Sequence, residues 1–270
     1  MTETGGERLE RRLHHFLAHP LAWLRYIWVR EVRQREVPFG LNPRFLDWRP
    51  MYRVARPGLA RLTGHPTAEL DGYFAELAPL AAGLRKEVGA LPSAGALMQA
   101  PLLYVLVRTL RPRRLIETGI SSGYSARLLL EALRRNAAGH LDSIGIDLFA
   151  LRDPSRPAES GLGSRPVGWL VTEELKDRWT LHLGRSEEVL PTLLDAAGDP
   201  LDFFLHDSLH QYPTMRWEYT TAYPKLAPGG LLLSHDIHAN AAWPEFMSEE
   251  KLTNWVELDH DLGAARRPLV

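Results

Sequence analysis

Glu117-Thr118-Gly119-Ile120-Ser121-Ser122-Gly123-Tyr124-Ser125 is the stretch on which the reading of this chain turns. It follows a short apolar run, Leu115-Ile116, and leads into a helical pattern over 122–133, so strand, tight turn and helix stand in immediate succession. Small residues at 119, 121 and 123 let the backbone approach a ligand closely, and the helix start beyond them offers free N–H groups. The alternation continues downstream. Strands are expected over 141–146 (closing on Asp147), 179–183 and 201–205, with helices over 186–197 and 212–226. Pro228-Gly229-Gly230 then opens the apolar run 231–233, which ends in Ser234-His235-Asp236. This spacing predicts an α/β fold, a parallel sheet with helices on both faces. Residues 256–259 and 264–269, joined across Gly263, are expected as an antiparallel hairpin at the sheet edge.

Upstream the texture is different. Residues 1–94 read as a helical N-terminal region, and 95–270 as the sheet domain. Residues 7–37 are rich in Arg and aromatics (Trp23, Tyr26, Trp28), but Glu and Arg are mixed there. That favours a helix packed on its own domain or on a second copy of the chain over one lying on a membrane. Pro and Gly between 38 and 66 predict irregular connections, and apolar residues at three-to-four spacing over 70–88 predict one helix with Thr67 as its N-cap. A further helix runs over 95–110 and stops at Pro112. Residues 149–168, without periodicity, leave the second strand where open α/β sheets bind ligands, and are read as a lid. Across 270 residues, 32 basic against 33 acidic side chains argue against a globally basic nucleic-acid binder. The absence of cysteine excludes disulfides, thiol nucleophiles and thiolate metal sites. No apolar run approaches membrane-spanning length and the first ten residues are polar, so a cytoplasmic protein is expected.

Three chemistries compete for the loop. A dinucleotide site wants G-x-G-x-x-G, but Ser121 and Tyr124 stand where the second and third glycines belong. A hydrolase nucleophile elbow wants G-x-S-x-G, which residues 119–123 satisfy with Ser121 as nucleophile, although almost everything upstream reads helical rather than as strands. A nucleoside site without phosphates needs an acid ahead of the turn, which is Glu117, and another at the end of the next strand. Asp147 stands there, able to accept hydrogen bonds from both ribose hydroxyls. The pairing of loop and acid points to an adenosine ligand.

On these residues the chain resembles the class I S-adenosylmethionine-dependent methyltransferases, with a mostly parallel Rossmann-like sheet and an antiparallel edge hairpin. The resemblance covers roughly 95–270. Residues 117–123 look like the family's first motif, E/D-x-G-x-G-x-G, with Ser121 at the middle glycine. It implies cofactor contacts from Glu117, Gly119, Ser121, Gly123, Tyr124 and Ser125, with Asp147 on the ribose and Ser186 near the adenine; Asp207 joins this set. Asp207-Ser208-Leu209-His210 and His235-Asp236 are similar to the branch of macrocin-type sugar O-methyltransferases and cephalosporin-hydroxylase-like proteins. That likeness implies His210 as general base with Asp207 beside it, and Asp207, His235 and Asp236 as ligands of Mg²⁺. His235 stands where the metal-dependent members carry Glu. His206 is expected to point away from the face of Asp207, since neighbouring strand residues alternate. The expected activity is O-methylation of a small natural product or sugar, with the N-terminal helices as acceptor cover or oligomer contact and neither nucleic acid nor membrane as partner. The alternatives are a serine hydrolase using Ser121 and a non-catalytic adenosyl-binding protein.

Overall fold

A computed structural model describes residues 20–28, 42, 45, 47–89, 97–146, 165–196 and 200–269. A short helix α1 (Pro20–Ile27) precedes α2 (Arg49–Thr63), α3 (Thr67–Ala75), α4 (Leu77–Val88) and α5 (Ala100–Leu110). Then follow β1 (Arg114–Thr118), α6 (Tyr124–Asn136), β2 (His140–Gly145), β3 (Trp179–Leu183), α7 (Ser186–Ala196), β4 (Leu201–His206), α8 (Tyr212–Ala222), β5 (Leu226–Ser234), α9 (Ala242–Glu249), β6 (Trp255–Asp259) and β7 (Leu262–Arg266). The seven strands form one sheet in the order β3-β2-β1-β4-β5-β7-β6. The first five are parallel and β7 pairs antiparallel with both neighbours, so the expected architecture is the observed one. Among the described residues no helix is long and apolar enough to cross a membrane.

Strand alternation divides the core between the two faces. Leu115, Phe203, Leu205, Leu231 and Leu233 pack beneath α5 and α6, while Ile116, Phe204 and Leu232 pack beneath α7, α8 and α9. Leu59 and Leu62 of α2, Leu70 of α3 and Leu84 of α4 enter the first of these cores, so the helices preceding residue 95 share it with the sheet. The Arg266 guanidinium, donating to the Leu62 carbonyl at 3.1 Å, ties α2 to β7.

Several expectations are corrected. The region expected to be irregular contains α2, with Pro57 inside it; Tyr52, Ala55, Leu59 and Leu62 recur at helical spacing on its buried face, and that burial outweighs the breakers. The single helix over 70–88 is two. Pro79 lies in the first turn of α4, the position a helix tolerates; one unbroken helix would drive its ring into the carbonyl of residue 75. Glu76 at that break is held by the Tyr104 hydroxyl (2.9 Å) and by Arg108 (3.0 Å). Pro66, not Thr67, caps α3. The edge hairpin turns at His260-Asp261; Gly263 lies inside β7, where a Cβ would come within 2.7 Å of the Trp243 ring. Strand β5 begins at Leu226, ahead of the glycines expected to open it, and α9 was not anticipated. Residues 149–164 of the expected lid and most of the helix expected over 7–37 lie outside the described residues; the last four lid residues, 165–168, are described.

Candidate functional site

The loop from β1 to α6 puts Gly119, Ser121 and Gly123 in the left-handed region, at φ +89°, +44° and +84°. This explains the small residues at alternate places. A Cβ on Gly119 would lie 1.9 Å from the Asp207 carbonyl oxygen, so the ends of β1 and β4 touch through a position only glycine can fill. The Asp207 N–H donates to the Thr118 carbonyl at 2.9 Å and fixes the contact. Across the loop, the N–H groups of Gly168 and Leu170 donate to the Ser121 and Ser122 carbonyls at 2.9 and 3.0 Å.

Glu117 is the next-to-last residue of β1 and is buried. Its carboxylate accepts hydrogen bonds from Ser143 of β2 (2.6 Å) and Ser125 of α6 (2.9 Å), and Trp179 donates to Ser143 behind it. Burial pushes the carboxyl up to about 7, against the pull of the two hydroxyls, and nearby Asp207 adds to the rise. Ser125 thus reaches the site through Glu117. Tyr124 faces the core, its ring edge-on to Phe45 at 5.4 Å. Ser186 begins α7 with its hydroxyl toward Glu218. Asp147 lies outside the described residues.

The ends of β4 and β5 bring Asp207, His210, His235 and Asp236 together. His235 Nδ1 lies 2.9 Å and His210 Nε2 3.5 Å from Asp207 Oδ1, while His210 Nδ1 lies 3.0 Å from Asp236 Oδ2. Burial alone would raise Asp207; the His210 and His235 imidazoles outweigh it and hold the carboxyl below the usual range. Burial likewise works against protonation of His235, and Asp207 outweighs it, so that imidazole titrates higher than usual. The residues matched to a base and its orienting carboxylate are therefore adjacent, at the sheet edge that carries the Gly119 loop.

Magnesium does not match this donor set. It calls for an octahedron of oxygens, and here two imidazoles stand between the two carboxylates. Asp207, His210 and His235 each bring a ligand-type atom within 4.8 Å of the others, and His210 Nε2 and His235 Nδ1 are buried without a well-aligned hydrogen bond among the described residues. That pattern suits a nitrogen-seeking cation better than Mg²⁺.

One element of the site was not read from the sequence. Glu218 of α8 is fully buried and accepts hydrogen bonds from Thr118 (2.6 Å) and Ser208 (2.7 Å), with His206 Nδ1 2.7 Å away. His206 outweighs burial and keeps the carboxyl below its usual range. His206 turns Nδ1 into this second network, yet its ring also meets that of His210 edge-on, centroids 5.5 Å apart, while Ser208 anchors the turn that presents His210. The signal was available: Glu218 falls on the same helix face as Met215 and Ala222, a charge in an apolar stripe. Asn240 adds a hydrogen bond to the His210 carbonyl at 3.3 Å.

Residues 116–237 match the model of a family described as a methyltransferase domain. Among solved structures, the chain is similar to an O-methyltransferase from Bacillus cereus in complex with SAH, at 16% identity and a TM-score of 0.51, covering 73% of this chain and 91% of that one. It is also similar to the O-methyltransferase TomG from Streptomyces achromogenes, involved in tomaymycin synthesis and in complex with SAM, at 24% identity and a TM-score of 0.44, covering 72% and 89%. No curated protein sequence matches the chain.

Proposed function

The chain carries a methyltransferase domain over residues 116–237, and from that premise we propose that it is an S-adenosylmethionine-dependent O-methyltransferase acting on a hydroxyl of a small natural product or sugar. The single observation that carries the proposal is the contact of Gly119 with Asp207, which sets the cofactor-type loop and the His210–Asp207 pair side by side on one sheet edge. The residues present fit the cofactor. Gly119, Ser121 and Gly123 give the turn the left-handed backbone of a cofactor-type loop, and Glu117 beside it is a carboxyl that burial drives toward its neutral form. Glu117 would receive the cofactor's ammonium group, Asp147 its ribose hydroxyls, and Ser186 would stand near its adenine. Tyr124 and Ser125 support this binding from behind, one by packing and one by orienting Glu117. The fold relative from Bacillus cereus holds SAH.

S-adenosylmethionine, when bound, supplies a methyl group activated by its sulfonium. The work left to the protein is positioning and removal of the acceptor's proton. His210 turns Nε2 toward the part-buried carboxylate of Asp207, 3.5 Å away. Nδ1 lies 3.0 Å from the outer carboxylate of Asp236, so the acceptor hydroxyl has to take the place of that carboxylate oxygen before Nδ1 can accept its proton. Base catalysis of this kind contributes roughly 10²- to 10⁴-fold. In the same reading the enzyme works in the cytoplasm, and the N-terminal region covers the acceptor; Leu21, Leu24 and Ile27 of α1 stand exposed for that role.

The hydrolase alternative finds no support, because among the described residues no strand precedes β1. The deciding experiment is methyl transfer from labelled S-adenosylmethionine to a panel of hydroxylated acceptors, wild type beside His210→Ala. At least a tenfold loss of turnover with unchanged binding of S-adenosylhomocysteine is expected. Equal turnover by the variant would remove His210 as base. Binding without transfer to any acceptor would leave the non-catalytic alternative standing.

A further inference from the structure

Beyond Asp236 the same loop runs on to His238, where a second group of side chains gathers apart from the Asp207 cluster. His238 Nε2 lies 3.1 Å from Glu257 Oε1, and the His238 and His260 rings stack with centroids 5.6 Å apart at 29°. One ligand atom from each of the three residues lies within 4.8 Å of the others. They come from three segments: the loop after β5, strand β6 and the β6–β7 turn. The Glu257 side chain is 3% exposed and His238 is 42% exposed, so an almost buried carboxylate sits behind an imidazole open to solvent. Nδ1 of His260 is buried and has no hydrogen-bond partner among the described residues. A buried ring nitrogen left unbonded forfeits its hydration without return.

We propose that His238, Glu257 and His260 form a binding site for a divalent cation of the zinc type, separate from the cluster at Asp207 and independent of the methyl-transfer reading. Two imidazoles and one carboxylate are a donor set that Zn²⁺ accepts and that Mg²⁺ and Ca²⁺ avoid. Donors around a tetrahedral zinc ion stand about 3.3 Å apart, so these atoms have to close by at most about 1.5 Å, within reach of side-chain rotation, with water in the fourth position. A cation here ties the loop bearing His235 and Asp236 to the edge hairpin. The backbone between them is otherwise joined by a long hydrogen bond, from Ile237 N–H to the Asp261 carbonyl at 3.4 Å.

The test is calorimetric titration of tag-free, chelator-stripped full-length protein with Zn²⁺, with melting temperature followed in parallel. The central cluster is removed first, as His210→Ala/His235→Ala, and that protein is expected to retain one zinc equivalent and a zinc-induced rise in Tm. Adding Glu257→Gln, close in shape to the native residue, is expected to weaken this binding at least tenfold, the lower bound even for an outer partner of a metal site, and to abolish the rise. Circular dichroism confirms that each variant is folded, and His260→Ala in the wild-type background, expected to lower the stoichiometry by one, keeps the question answerable if the combined variant does not fold. Zinc binding unchanged by Glu257→Gln or His260→Ala, or no binding once the central cluster is removed, would overturn the proposal.

Discussion

Glu117→Gln separates the demands of folding from those of cofactor binding. The carboxyl is buried between Ser143 and Ser125 and raised to about 7 from an ordinary 4.5. Below pH 4.5 it is protonated in both folded and unfolded chains. Between 4.5 and about 7 the unfolded chain releases the proton while the folded one keeps it, so stability falls as pH rises through that window and then levels off. The whole displacement corresponds to ~3 kcal/mol. Glutamine retains the shape and never ionises. In denaturant unfolding the variant should therefore match the wild type near pH 5 within about 1 kcal/mol and exceed it near pH 8 by up to ~3 kcal/mol. Taking the difference between the two proteins removes the contribution of His235, which titrates in both. Cofactor binding should respond in the opposite sense. A ligand ammonium beside Glu117 favours the ionised form, so wild-type affinity for S-adenosylhomocysteine should rise between pH 6 and 8 while that of the variant stays flat and weaker. A stability difference independent of pH, or parallel affinity profiles, would refute the account of Glu117.

Three other outcomes are expected. Gly119→Ala should fail to accumulate as folded protein, because its Cβ meets the Asp207 carbonyl at 1.9 Å from a left-handed backbone; wild-type thermal stability would show that β1 and β4 do not meet as described. Glu218→Ala should destabilise the fold by roughly 1–3 kcal/mol for each buried group left without its partner, since Thr118, Ser208 and His206 all lose the same carboxylate; an unfolding midpoint near wild type would deny that network its role. Treatment with EDTA followed by Mg²⁺ should leave methyl transfer unchanged, and a loss restored by Mg²⁺ would show that the imidazole-rich cluster accepts that ion after all.

The sheet was legible because its strands obey a simple rule: apolar runs such as 203–205 and 231–233 are buried on both faces, and each ends in the residues that carry chemistry. The loop at 119–123 was legible for a related reason, since small residues at alternate positions answer a backbone requirement that the structure meets with three left-handed residues. What escaped depends on partners distant in sequence. Pro57 in α2 looks like a breaker until Tyr52, Leu59 and Leu62 are seen to share a buried face. Gly263 looks like a turn until Trp243 occupies the space beside it. Glu218 stands in an apolar stripe that the sequence displays, but the partner that explains it, His206, comes from another element.

The central claim is that this sheet edge holds a methyl donor by its ribose and its amino-acid end. Calorimetric titration of the purified chain with S-adenosylhomocysteine tests it most directly, with Asp147→Ala as the paired variant. One saturable equivalent in the wild type, weakened by roughly 1–3 kcal/mol in the variant, is the result expected. Absence of binding at millimolar ligand, or equal affinity in the two proteins, would contradict it.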